Sequence, residues 1–227
     1  MIISGNTGTG DGGHRRDGES TEPSENRENR ENRQSTESTE STQSTGTGDG
    51  VRVPGPESSG PRDRELAVAI GLRDSGEPVA REEARRRLVA LADRLPDDAE
   101  VAYHTAWAHD VLEREAEAVP YYERALTAGA PSLTEADRCE AYLGLGSTYR
   151  VLGRYEDAER TLRAGVAAFP GHGGLRTFLG MALYNTGRHE ESVRLLLDLL
   201  VRTSGDPTVR AFGRAITAYA EDLNRTV

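Results

Sequence analysis

Residues 141–170 read AYLGLGSTYRVLGRYEDAERTLRAGVAAFP, and the fold turns on this stretch. Leu145, Gly146 and Tyr149 share one helical face, as do Ala158 and Leu162. Gly153 divides the two segments and Pro170 closes the second. A glycine suits the left-handed residue that ends a helix, and proline halts one. Gly146 and Ala158 remove side-chain bulk where the first helix must touch the second, while larger neighbours interlock beside the crossing as ridges in grooves. The segment therefore specifies an antiparallel helix hairpin.

The same pattern recurs to either side. Ala84 and Leu88, Ala118 and Tyr122, Ala158 and Leu162, and Ser192 and Leu196 each place a large apolar residue four positions after a small one, with separations of 34, 40 and 34. A second marker keeps that step: Pro96, Ala130 beside Pro131, Pro170 and Ser204 each lie 12 residues after the small residue. The separation of 40 is a 34-residue unit with six inserted, and Ser132 or Thr134 is expected to cap the helix that absorbs them. A lone hairpin cannot bury its apolar face, so such units stack into a solenoid.

This pattern resembles the tetratricopeptide repeat over about residues 62–206, in a form similar to small bacterial proteins with a group-5 tetratricopeptide domain. The third unit matches best. The second keeps Ala106, Ala118, Tyr122 and Ala125 but has Thr105 and His109 where Leu and Tyr are usual, so His109 is expected to pack in a part-buried position. The first unit is degenerate, with three extra residues around Pro78. The resemblance implies an all-α, right-handed α-solenoid of about four hairpins, at roughly 62–98, 99–132, 133–172 and 173–206. Gly205-Asp206-Pro207 then starts a capping helix over 207–224, whose stripe Val209, Phe212, Ile216, Tyr219 and Leu223 is expected to dock, with Gly213 as a weak point.

Residues 1–60 differ in kind. Glu-Asn-Arg occurs three times over 25–33, Ser-Thr-Glu units fill 35–45, and the segment has no aromatic residue and four Ile or Val. It is expected to be a disordered tail ahead of a folded domain at 61–227. The net charge of −10 divides evenly, with 6 Arg against 11 acids in residues 1–60 and 22 against 27 in the remainder, which argues against a nucleic-acid partner. No apolar run has the length of a membrane span, no secretory leader is evident, and the single cysteine, Cys139, permits no internal disulfide, so a cytoplasmic location is expected. All 28 basic residues are Arg, attributed here to coding bias.

Catalytic chemistry finds no support. His104 and His109 are five residues apart, about 140° around a helix, and cannot serve one metal ion from one face. Gly144-Leu145-Gly146 looks like a phosphate loop but falls inside a helix, where packing accounts for it. A non-enzyme without cofactor or metal is expected. In tetratricopeptide proteins the first helix of each hairpin lines the concave surface. Projecting the period puts Tyr103, His104, Trp107 and Asp110, then Leu143, Ser147 and Arg150, then Thr177, Met181, Tyr184 and Asn185 on that groove. An exposed Trp and two Tyr among Arg, Asp and Asn form the anchor composition of a binding surface, with Arg150 pairing a carboxylate. Some relatives clamp the C-terminal carboxylate of heat-shock chaperones with Lys, Asn and Arg; the matching positions here are Leu66, Ile70, His104, Glu140 and Gly144, so that role is not expected. The expected function is protein–protein interaction with an unidentified protein or peptide, with self-association into a homo-oligomer as the alternative.

Overall fold

The computed structural model describes residues 60–127 and 133–224. The expected tail and the stop at Pro131 lie outside the described residues. Among the described residues there are nine helices and no strand: α1 (Pro61–Asp74), α2 (Pro78–Arg94), α3 (Ala99–Asp110), α4 (Glu115–Thr127), α5 (Glu135–Val151), α6 (Tyr155–Ala168), α7 (Gly173–Asn185), α8 (His189–Thr203) and α9 (Pro207–Glu221). Each helix packs on the next, giving four hairpins and a final helix. The first helices of successive hairpins also touch, α1 with α3, α3 with α5 and α5 with α7, whereas the second helices make no comparable contacts. The first helices therefore form the inner layer of an α-solenoid.

Local chemistry sets the ends. Thr134 caps α5 by accepting from the Asp137 N–H at 3.0 Å. The six-residue insertion is thus partly absorbed by α5, which has 17 residues where α7 has 13. The extra residues near Pro78 likewise lengthen α2, which starts on that proline, instead of enlarging the turn before it. Gly76, Gly153 and Gly187 follow the first helices with φ of 72–80°. At the equivalent place in the second hairpin stands Glu113, held at φ 60°. A left-handed residue with a Cβ costs about 1–2 kcal/mol, so Glu113→Gly is expected to raise stability by about 1 kcal/mol, read from the urea midpoint.

The small-residue crossings occur as expected. A Cβ built on Gly146 would lie 2.4 Å from Leu162 Cγ, and one on Gly180 would lie 2.9 Å from the Leu196 side chain. Ala106, Ala118 and Ala158 are fully buried, and the Ser192 hydroxyl donates to Gly180 O at 2.6 Å. Glycines also permit close approach between hairpins: a Cβ built on Gly144 would lie 2.6 Å from the Tyr122 ring, and one on Gly165 would lie 2.9 Å from the Leu175 side chain.

The last helix departs from its expected docking. Gly213 and Ala220 are its buried residues, with Val209 and Ile216 half-buried, while Phe212, Tyr219 and Leu223 are exposed. Gly213 is the point of approach, since a Cβ there would meet Val201 Cγ1 at 3.4 Å. The small residue that weakens the isolated helix lets it lie close on α8, turning the aromatic stripe away from the contact.

Candidate partner-binding face

The inner layer is closed at one end and open at the other. On α3, Tyr103, His104, Trp107 and Asp110 are all buried, and Trp107 is only 6% exposed. This corrects the expectation of an exposed tryptophan. Arg73 of α1 lies over the indole, its guanidinium carbon 3.6 Å from the ring centroid, and is itself 1% exposed. Its Nη1 donates to His104 Nδ1 at 3.0 Å, while Nε and Nη2 donate to Asp74 at 2.7 and 3.2 Å. Counted from the turn residues Gly76 and Glu113, Arg73 matches Asp110 and Ile70 matches Trp107, so Arg73 reaches the indole from the next turn of α1. The repeat alignment of the sequence does not pair the two residues, and the first unit is the most degenerate.

Burial and the neighbouring Arg73 and Arg62 charges push the His104 imidazole down to about 3, so it is the neutral acceptor that Arg73 requires. His109 faces a different helix, stacking on Tyr121 of α4 with centroids 5.4 Å apart. Its ring nitrogens make no hydrogen bond among the described residues, and burial pushes its pKa down to about 4 despite Glu117 3.5 Å away. The two histidines are thus full core residues with separate surroundings, more deeply buried than expected for His109. Asp110 accepts from Tyr122 Oη at 2.7 Å and Thr148 Oγ1 at 3.0 Å, tying α3 to α4 and α5. Its buried carboxylate supports the stack from within. Cys139 is buried on α5, and burial, then Glu140 and Glu135, raise its thiol to about 11, which holds it protonated and unreactive.

From α5 onward the expected residues are accessible, apart from the buried Leu143. Ser147, Arg150, Thr177, Met181 and Asn185 are half-buried, and Tyr184 is 62% exposed with its ring 4.8 Å from His189. Ser147 and Thr177 turn their hydroxyls onto their own helices, to Gly144 O and Gly173 O at 2.9 Å. Arg150 and Asn185 are brought together across α5 and α7, with Nε donating to Asn185 Oδ1 at 3.0 Å. Two exposed aromatics extend the set: Phe212 and Tyr219, at 65% and 64%, stand 34 residues after Phe178 and Asn185. Continuing the repeat step into α9 would have found them. A cleft of about 1020 Å³ among α6, α7, α8 and α9 is lined by charges that pair with one another, as in Arg163–Glu191 and Arg176–Asp198, both 2.7 Å.

Stacked helix hairpins crossing at small residues define a tetratricopeptide solenoid, and comparison with known proteins agrees. The group-5 family model described as "Tetratrico peptide repeat" matches residues 99–223, and the chain belongs to this family. Such repeats generally mediate protein–protein contacts. Among solved structures, a crystal structure of MamA protein is similar at 16% identity and a TM-score of 0.54, covering 74% of this chain and 79% of that one. MamA from Desulfovibrio magneticus RS-1 is similar at 20% identity and a TM-score of 0.51, covering 73% and 97%. These likenesses are of fold. No curated protein matches the chain. No described helix is long and apolar enough to cross a membrane.

Proposed function

We propose that this chain is a non-catalytic binding module that holds a segment of a partner protein along the inner faces of α5, α7 and α9. The observation that carries this reading is the exposure of the aromatic set Tyr184, Phe212 and Tyr219 in a solenoid whose α3 aromatics are buried, with the repeat step supporting their assignment to the inner side. Ser147, Arg150, Thr177, Met181 and Asn185 complete the contact surface. Tyr103, His104, Trp107 and Asp110 are assigned to holding α1, α3, α4 and α5 together. Exposed large aromatics supply binding energy at small entropic cost and dominate interface cores. A cytoplasmic protein partner fits the composition, whose acidic balance disfavours nucleic acid.

Tyr184→Ala combined with Tyr219→Ala is expected to keep the helical circular dichroism spectrum and to lower partner recovery from lysate at least tenfold relative to the unmodified chain. Equal recovery of every bound protein by both chains contradicts the assignment. Self-association is the second reading, favoured by the uncovered Phe212, Tyr219 and Leu223 stripe of α9. Sedimentation velocity separates the two, because a groove-binding monomer keeps one sedimentation coefficient over a hundredfold concentration range.

A further inference from the structure

The chemistry of the partner can be read from the charge pattern of this face, an inference that rests on the binding role proposed above. Inner-face positions 143, 144, 147, 150 and 151 of α5 recur 34 residues later in α7 and 68 residues later in α9. Charged residues make up 29% of the chain, so about four of these fifteen positions would carry charge by composition alone. Only Arg150 does. Depletion of charge with enrichment of aromatics is the compositional mark of an interface core.

Arg150 also differs from the arginines around it. Arg163, Arg176 and Arg188 all pair with carboxylates of this chain at 2.7–2.8 Å. Arg150 instead gives Nε to the neutral Asn185 amide and forms no ion pair among the described residues. Asn185 orients the guanidinium and leaves its two terminal nitrogens for an end-on bidentate contact. The nearest acid in the same repeat column, Asp110 of α3, is already committed to Tyr122 and Thr148. A half-buried cation fixed by a neutral amide on an otherwise uncharged face is complementary to one carboxylate among apolar groups. A run of acids would instead meet the −10 net charge of the chain.

We propose that the inner face takes a segment of another protein rich in large apolar residues and carrying one Asp or Glu side chain, which pairs with Arg150 while the apolar residues cover Tyr184, Phe212 and Tyr219. The chain's own first 59 residues fit poorly, having many acids, no aromatic residue and four Ile or Val.

The test is selection of a random 12-residue peptide library displayed on phage against the full chain and its Arg150→Glu variant, followed by fluorescence anisotropy with the selected peptides. The unmodified chain should enrich apolar peptides with one acidic position. Changing that acid to Gln should weaken binding by about tenfold or more, as expected for loss of a charge-assisted pair. Arg150→Glu, with its helix content checked by circular dichroism, should shift enrichment to a Lys or Arg at the same position. Apolar peptides that lose affinity with Tyr219→Ala, yet show no acid preference and no shift with Arg150→Glu, overturn the carboxylate assignment and leave the binding face standing. Peptides indifferent to both Tyr184→Ala and Tyr219→Ala, or no enrichment over bare matrix, overturn both.

Discussion

Gly146→Val is expected to destabilise the protein by about 3 kcal/mol, a large share of the stability of a single domain. A Cβ at Gly146 would fall 2.4 Å from Leu162 Cγ, and Leu162 is fully buried at the crossing of α5 and α6. Better helix propensity than glycine returns only a few tenths of a kcal/mol, so steric overlap decides the sign. The cost should be specific to the crossing. Combining Gly146→Ala with Leu162→Ala should lose less than the sum of the single changes, because the second relieves the overlap created by the first. Urea unfolding of the four chains measures the coupling, and additive losses would mean that the two residues do not meet.

The second large effect is acid sensitivity. His104 and His109 titrate near 3 and 4 in the folded chain, against about 6.5 when unfolded. Between those limits the unfolded state binds more protons, so stability falls as pH drops below about 6.5. Each pKa unit of depression is worth about 1.4 kcal/mol, so the two histidines together remove several kcal/mol by pH 5. Below about 4 the paired carboxylates Asp98, Asp157 and Asp198, whose pKa values are lowered in the folded state, add loss in the same direction as they protonate. Urea midpoints at pH 7.5 and 5.5 should differ strongly, and His104→Gln with His109→Gln should flatten that difference even if it lowers both midpoints. An unchanged pH slope in the double variant would contradict the burial of these rings as neutral groups.

The repeat was legible because its causes are local and periodic. Glycine at the crossings and turns, a cap at Thr134 and proline at helix starts each leave a residue-level mark at a fixed step. That α3, α5 and α7 form the inner layer was legible for the same reason. What periodicity could not give was the cover over individual residues. Whether Trp107 meets solvent depends on Arg73, in the unit with the weakest pattern. The same limit applies to α9, where an apolar stripe signals a contact surface without saying which element meets it. Gly213 and Ala220 make the intramolecular contact, and Phe212 and Tyr219 are left over. The proposed binding face consequently lies further toward the C-terminus than the face expected from the sequence alone.

Trp107 is the sole tryptophan, so its fluorescence reports directly on whether the α3 end of the inner face is sealed. Acrylamide quenching of the full chain should be weak, with blue-shifted emission, and should rise in Arg73→Ala, which removes the cover. Emission typical of solvated indole and strong quenching in the unmodified chain would contradict the sealed α1–α3 seam and return Trp107 to the binding surface.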